Sequence, residues 1–239
     1  MPHLLVINPN TTAQVSEHVD ALVRDEAGSA IDVRTVTASF GFRYISSRAA
    51  VAIAAHAVLD TAAQAISEGE KPDAILIACF GDPGLAALKE MTGLPVVGFA
   101  EAGILAAASE EGSFLIATRG EVWCEMLIEL VRRLDLTSRV SGVFSIGDPD
   151  GEPSVIAESL SEQARASGAS RVVLGGAGLI PSLPRIIEAC TVPILDPHRA
   201  AVRKAIGLAR LGQPTLPDDM GGYTIGLSPS LNNALSRPV

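Results

Sequence analysis

The sequence predicts an α/β fold with two similar lobes, each a mainly parallel sheet flanked by helices. Three observations indicate this fold: apolar strands alternate with helical patterns, the two halves of the chain repeat one another, and the composition favours a large core. Of the 239 residues, 48% are hydrophobic and only 4% are aromatic. This length suits one large α/β domain or two small ones.

Eight short runs of β-branched or aliphatic residues predict strands, and helical patterns separate them. The predicted strands are 3–8, 31–36, 73–79, 95–99, 113–118, 139–144, 171–176 and 192–196. The predicted helices are 11–27, 47–68, 83–92, 100–109, 120–134, 152–167, 181–189 and 197–211. Strands that are apolar along their whole length are typical of parallel sheets covered on both faces.

An internal repeat in the sequence predicts that the chain folds into two similar lobes. The stretch "DAILIACFGDPGLAALKEMTGLPVVGFAEA" resembles "SRVVLGGAGLIPSLPRIIEACTVPILDPHRA", and both run strand, Gly-rich turn, helix and short strand. We predict a first lobe of residues 1–99 plus about 206–239, and a second of 100–205. Ligands bind at the carboxyl ends of parallel strands, so four loops are expected to meet in a cleft between the lobes. These loops are 8–12, 79–84, 118–120 and 176–180.

Charge and cysteine usage exclude several classes of protein. The net charge of -9 and the lack of Lys/Arg runs argue against a nucleic-acid partner. The start "MPHLLVINPNTT" has no basic region or long apolar core, which argues against a secretory signal. The Ala-rich segment 49–66 is interrupted by polar residues and predicts a buried helix, not a membrane span. Three cysteines without metal-like spacing indicate a reduced, cytoplasmic protein with no metal site.

The strongest candidate for chemistry is Cys79, which ends an apolar strand in "ILIACFGDPGLAAL". Asp82 is the expected N-cap of the next helix, with Pro83 at its first position. A thiol near a helix N-terminus is favoured as thiolate. The alternative is an inert buried cysteine that acts as a small hydrophobic residue.

Other loops offer polar groups. In "INPNTT", the side chains of Asn8, Asn10 and Thr11 could hold a carboxylate or an amide carbonyl, although an Asn-Pro turn before a Thr N-cap explains them equally well. His198 follows Asp196-Pro197 and could exchange a proton opposite Cys79; its alternative is an exposed residue at a helix N-terminus. Four turn glycines would let backbone N–H groups approach a ligand: Gly81, Gly175, Gly176 and Gly178.

These residues resemble the aspartate/glutamate/hydantoin racemase superfamily, particularly its hydantoin and allantoin racemase branch. The resemblance covers roughly residues 3–210 and rests on "LLVINPNTT", "ILIACFGDPGLAALKE", "LPVVGFAEA" and "VVLGGAGL…VPILDPHRAAV". It implies a cofactor-independent racemase or epimerase for a small carboxylate or cyclic amide, and we expect a homo-oligomer. In this family the substrate lies between two cysteines, one removing the α-proton and the other returning a proton to the opposite face.

The resemblance assigns Cys79 as the first catalytic cysteine and puts Gly176 where the second is expected. It also implies substrate-binding loops made of Asn8, Asn10, Thr11, Phe80, Gly81, Thr118, Gly176, Ala177 and Gly178. Because glycine has no side chain, the usual exchange between two thiols cannot operate.

Four alternatives follow from the missing thiol. His198 or water could supply the second proton. The chain could be a one-cysteine decarboxylase of the arylmalonate type, although those enzymes keep the second-lobe cysteine. Cys79 could be the nucleophile of a hydrolase or ring-opening enzyme. Last, the chain could be an inactive homologue that binds a small molecule.

Overall fold

The computed structural model describes residues 1–69, 71–147, 151–212 and 224–236. The chain divides into two compact units, one of residues 1–78, 82–98 and 202–239, the other of 79–81 and 99–201. Of the first lobe expected from the sequence, residues 70, 213–223 and 237–239 lie outside the described residues.

The first unit contains a four-stranded sheet in which every strand pair is parallel. Its strands are β1 His3–Asn8, β2 Asp32–Thr37, β3 Ala74–Ile77 and β4 Val96–Gly98, in the order β2-β1-β3-β4. The helices along this part of the chain are α1 Ala13–Ala27, α2 Arg48–Glu68 and α3 Leu85–Thr92. Every residue of β1 and β3 is buried, as expected for central strands covered on both faces.

The second unit repeats this plan with a parallel sheet in the order β6-β5-β7-β8. Its elements are α4 Phe99–Ala108, β5 Phe114–Arg119, α5 Glu121–Arg133, β6 Val140–Ile146, α6 Pro153–Ser167, β7 Arg171–Leu174, α7 Leu183–Ala189 and β8 Ile194–Leu195. They are followed by α8 Pro197–Leu211 and α9 Pro229–Leu235, and short 3₁₀ turns lie at Gly28–Ala30 and Ala177–Leu179. The predicted two-lobed α/β fold with parallel sheets is confirmed.

The strand order determines where each sheet can bind a ligand. In both sheets the chain reverses its winding direction at the first strand, between β1 and β3 and again between β5 and β7. Loops that leave the carboxyl ends of strands at such a switch point diverge and leave a crevice. The two crevices are therefore bordered by the residues after β1 and β3 and by those after β5 and β7.

Helix α2 belongs to the core of the first unit. It is the one helix in the described ranges that is long and apolar enough to span a membrane by length and composition, and half of its most apolar window is buried. It packs against β1, β2, α3 and α9. Ser228 donates a hydrogen bond to Asp60 on α2 and also caps α9 by accepting from the Leu231 N–H. The sequence prediction of a buried helix thus agrees with its packing.

The turn between β3 and α3 differs from the prediction. Helix α3 begins at Leu85, and its N-cap is Gly84 with φ 77°. Asp82 has φ 50°, and its carboxyl lies so close to Gly98 that a Cβ built there would overlap it. The predicted N-cap at Asp82 is therefore wrong, because this aspartate turns the chain in the left-handed region before the helix starts. An N-cap at Asp82 therefore cannot favour a thiolate at Cys79.

Candidate functional site

Cys79 lies on a turn that is tightly held within the second unit. Cys79 is half-buried, whereas Phe80 next to it is buried. Gly81 lies directly against the indole of Trp123 on α5, and a Cβ built on this glycine would overlap the ring. The buried Phe80 and the contact of Gly81 with Trp123 therefore restrain the turn directly after Cys79.

Phe80 connects this turn to the Gly-rich turn after β7. A Cβ built on Gly175 would overlap the Phe80 ring, so only glycine allows this approach. The Gly175 N–H donates to the Ala117 carbonyl at 3.0 Å, which anchors the second turn to the end of β5. The two Gly-rich turns that the sequence repeat pairs are thus brought together through one aromatic ring.

Replacing Gly175 with alanine is expected to lower the free energy of unfolding by about 1–3 kcal/mol, because the added methyl overpacks the Phe80 ring. Gly178→Ala is the matched control, since a Cβ built at Gly178 meets nothing within 4 Å. Urea denaturation of both variants checks this. Equal stability of the two variants would contradict the packing of Phe80 on Gly175.

Gly176 stands at the place where the family resemblance expects a second cysteine. Its φ is 144° and its ψ 116°, a conformation that residues with a side chain rarely adopt. A Cβ built here would contact only the Leu179 side chain, at 3.4 Å. The Gly176 carbonyl accepts from the Leu179 N–H at 2.8 Å, and the Gly176 N–H donates to Nε2 of His198 at 3.3 Å. A side chain at Gly176 therefore has space but meets backbone strain.

His198 is fully buried, so the alternative of an exposed helix-terminal residue is wrong. Its Nδ1 lies 3.0 Å from Oδ1 of Asp196, and its Nε2 faces the Gly176 N–H. Because a backbone N–H can only donate, Nε2 is the acceptor and the ring proton lies on Nδ1, toward Asp196. Both ring nitrogens are thus engaged inside the protein.

Asp196 anchors this arrangement at the start of α8. Its Oδ1 accepts from the backbone N–H groups of His198 at 2.9 Å and Arg199 at 3.2 Å. Burial acts to raise the pKa of the Asp196 carboxyl, but the hydrogen bonds from the His198 ring and from these two N–H groups outweigh it and hold the pKa below its ordinary 3.8. The carboxylate is the charged end of a short chain of hydrogen bonds that leads through His198 to Gly176.

The lowered pKa of Asp196 predicts a pH-dependent effect of Asp196→Asn. A carboxyl whose pKa falls on folding stabilises the protein above its unfolded value, and this contribution is lost as the pH falls through the lower folded value. We expect wild type to be more stable than Asp196→Asn by about 1–3 kcal/mol at neutral pH. The difference shrinks below pH 3.8. Denaturation at several pH values measures this difference in stability, and Glu158→Gln, at an exposed residue, is the control. A difference that does not change with pH would contradict the lowered pKa of Asp196.

The side chain of Asn8 makes its hydrogen bonds to the loop that begins at this residue and to the helix that follows it. Asn8 is fully buried, and its Nδ2 donates to Oδ1 of Asn10, to the Thr12 carbonyl and to Oγ of Ser16. Its Oδ1 accepts from the Asn10 N–H at 3.1 Å. These contacts favour the alternative in which Asn8 shapes an Asn-Pro turn over direct contact with a ligand.

Asn10, Thr11 and Thr12 in this loop are half-buried. The Asn10 side chain accepts from the Thr12 N–H, and the Thr11 N–H donates to the Phe42 carbonyl at 3.0 Å. Thr12 is the N-cap of α1, but its hydroxyl donates to the Arg43 carbonyl instead of capping the helix. The loop is thus braced by residues 42–43, and Asn10 and Thr11 remain partly accessible.

The other predicted site residues lie at the ends of β5 and β7. Thr118 is buried at the end of β5, Ala177 is half-buried, and Gly178 is exposed. Trp123 and Leu179, which contact the two turns, escaped the sequence analysis because both look like ordinary core residues. In the sequence, only the glycines that they contact, Gly81 and Gly176, indicated that large side chains pack on these turns.

The other two cysteines occupy different environments. Burial, together with the charge of Glu121, raises the pKa of the Cys124 thiol to about 11, so this thiol stays protonated. Sγ of Cys190 lies 3.2 Å from Oγ of Ser161 at the end of α7. In the described part of the chain, no three His, Cys, Asp or Glu side chains converge as a metal site would require.

Comparison with known proteins identifies the family. The Asp/Glu/Hydantoin racemase family model matches residues 4–205. A hydantoin racemase from Paenarthrobacter aurescens is 32% identical over 220 residues, which is 89% of this chain and 93% of that protein. The structure of an allantoin racemase from Klebsiella pneumoniae superposes with a TM-score of 0.84 at 26% identity, covering 98% of this chain and 99% of that one.

A more distant likeness concerns the fold alone. A glycine-to-cysteine variant of arylmalonate decarboxylase has a TM-score of 0.63 at 16% identity and covers 89% of this chain and 95% of its own. The racemase relatives indicate that this chain is an enzyme of the isomerase class, as the motifs predicted. The chain belongs to the Asp/Glu/hydantoin racemase family.

Proposed function

We propose that this protein is a cofactor-independent isomerase that exchanges the α-proton of a hydantoin-like cyclic amide, with Cys79 as its base. The observation that carries the proposal is the placement of Cys79. Cys79 is a half-buried residue on a turn that is held by Phe80 against Gly175 and by Gly81 against Trp123. The hydantoin and allantoin racemase relatives support the class of substrate.

In the proposed reaction, the Cys79 thiolate takes the proton from the α-carbon. The C–H electron pair moves toward the neighbouring carbonyl, and the negative charge develops on its oxygen. Return of the proton from the Cys79 thiol restores the starting enantiomer. Inversion requires a proton on the opposite face, which we assign to water on the side of Gly176, where a side chain is missing. The hydroxide left by this transfer is neutralised through solvent by the proton on the Cys79 thiol, which restores the thiolate.

His198 was the other candidate for the second proton. Its Nε2 is engaged with the Gly176 N–H and its Nδ1 with Asp196, and the ring is fully buried. A proton from this ring would therefore require both the rupture of a hydrogen bond and access of the substrate to a buried nitrogen. This is why we assign the second proton to water.

Decarboxylation of a disubstituted malonate is a second candidate, favoured by the single observation that Gly176 leaves one thiol. In that reaction the bond to CO₂ breaks, its electrons form an enediolate, and the Cys79 thiol protonates the α-carbon once. One acid is sufficient for this chemistry, whereas racemisation needs a proton source on each face.

The test is to incubate single enantiomers of hydantoins and amino acids, and prochiral malonates, in D₂O with the enzyme. Loss of optical rotation with deuterium at the α-carbon of a hydantoin supports the proposal. Release of CO₂ with deuterium on one face identifies the decarboxylase instead. A covalent acyl or amidine adduct on Cys79 would identify a hydrolase or ring-opening enzyme, and thermal stabilisation without turnover an inactive binding protein.

Further parts of the proposal concern the substrate loops and the assembly. We assign the accessible loop residues Asn10, Thr11, Ala177 and Gly178 to contact with the substrate, and Thr118, Phe80 and Gly81 to its support. A cytoplasmic homo-oligomer is also part of the proposal. Sedimentation of the purified chain checks the oligomeric state.

A further inference from the structure

We propose that His198 is a positioning residue, which fixes the backbone of Gly176 through the chain Asp196–His198–Gly176. This inference deepens the proposed function and rests on it, because Gly176 lies where the second proton is delivered. It assigns His198 no proton transfer. The role follows from three features of the described residues: the direction of the hydrogen bonds, the conformation of Gly176 and the enclosure of the ring.

Each hydrogen bond in this chain donates toward the Asp196 carboxylate: the Gly176 backbone donates to His198, and His198 donates to Asp196. The Gly176 N–H donates to Nε2 of His198 at 3.3 Å, and Nδ1 of His198 lies 3.0 Å from Oδ1 of Asp196. Asp196 is held in turn by the first backbone N–H groups of α8. A protonated Nε2 would place two donors face to face, so the contact requires the tautomer with its proton on Nδ1.

The conformation of Gly176 explains why such a restraint is needed. Glycine reaches φ 144° easily, but it also has the largest choice of other conformations. It has no side chain with which to anchor itself. His198 and the Leu179 N–H bind its two backbone polar groups, so the peptide on each side is held. An acceptor at His198 thus selects one conformation of a residue that is otherwise free to move.

The enclosure of the imidazole makes the restraint rigid. The Phe99 ring meets it edge-on at 5.0 Å between centroids, and the Phe80 ring lies at 6.5 Å. Phe80 is the same ring that packs on Gly175 and follows Cys79. Pro197 lies against Gly103 of α4, where a Cβ would overlap it, so the start of α8 packs closely on α4. The ring therefore couples the Cys79 turn and the Gly176 turn to one fixed helix end.

Two substitutions separate positioning from proton transfer. Glutamine at position 198 can offer its amide oxygen near the place of Nε2, whereas the shorter asparagine reaches only the place of Nδ1. We expect His198→Gln to keep kcat/KM for α-proton exchange within about threefold. We expect His198→Asn to lower the same kcat/KM by about 10- to 100-fold, because misplacement by about 1 Å costs up to about that factor. Both variants lose the packing of the imidazole, so their melting temperatures should be similar.

The outcomes are distinct. Retained activity in His198→Gln with loss in His198→Asn at similar stability supports positioning. Loss of exchange in both folded variants would show that the ring transfers a proton and would overturn the inference. Unchanged activity in both, or activity that merely follows stability, would also overturn it.

A measurement on the wild-type protein tests the same contact without turnover and without a variant. Long-range ¹H–¹⁵N spectra of the histidine rings at neutral pH are expected to show His198 with its proton on Nδ1. A proton on Nε2 would overturn the inference. The proposed function fails by a different result, which is full activity of Cys79→Ala, so the two failures are distinguishable.

Discussion

Cys79→Ala is expected to lower kcat/KM for α-proton exchange by about 10³-fold, the range in which a positioned acid–base group contributes. The expectation follows from the assignment of Cys79 as the only side chain that touches the α-proton. It is measured as deuterium uptake from D₂O by a single enantiomer of a substituted hydantoin.

Cys190→Ala is the matched control for this prediction, because Cys190 is also partly exposed but lies at the end of α7 beside Ser161. It should keep its activity within about twofold. Alkylation supplies a second readout: Cys124, with a pKa of about 11, should stay unlabelled in the folded protein at neutral pH. Similar losses in Cys79→Ala and Cys190→Ala would contradict the special role of Cys79.

Gly176→Cys is expected to exchange and invert substrate at least about tenfold faster than Gly176→Ala, because a second thiol can protonate the opposite face. Both variants place a Cβ at φ 144°, so both should lose about 1–3 kcal/mol of stability through backbone strain. The alanine variant therefore controls for strain and isolates the thiol.

The space around Gly176 makes this experiment feasible. A Cβ there meets only the Leu179 side chain, at 3.4 Å, which is an ordinary van der Waals contact. Polarimetry of both variants gives the rate of inversion, and denaturation gives their stability. Equal rates in the cysteine and alanine variants, with both folded, would contradict the assignment of Gly176 to the second face.

The pattern of strands and helices could be predicted because it depends on local periodicity. β1 begins and ends at the predicted residues, and α8 spans its predicted range. The start of α3 could not be predicted in the same way. Asp82 looks like an N-cap, but its carboxyl packs on Gly98 and its backbone adopts the left-handed region, which depends on a strand that follows later.

The sequence repeat could pair the turns of Cys79 and Gly176, but it could not predict the hydrogen bonds around them. Cys79 and Gly176 were identified by the repeat, and strand order places their turns at the carboxyl ends of β3 and β7. The burial of His198 was missed, because its partner Gly176 is 22 residues away and no local pattern reports that contact. Asn8 shows the same limit, since its bonds to Ser16 depend on how α1 packs after the loop.

The central claim is that Cys79 is the single thiol base and that water protonates the opposite face. The most direct test is to measure which enantiomer carries deuterium after a single turnover. One enantiomer of a substituted hydantoin is incubated in D₂O with excess enzyme. The two enantiomers are then separated, and the deuterium content of each is measured by mass spectrometry. If Cys79 is the single thiol base and water protonates the other face, the inverted enantiomer carries deuterium and the recovered one largely keeps its protium. Cys79→Ala should then give neither inversion nor exchange, and inversion by Cys79→Ala at the wild-type rate would contradict the account.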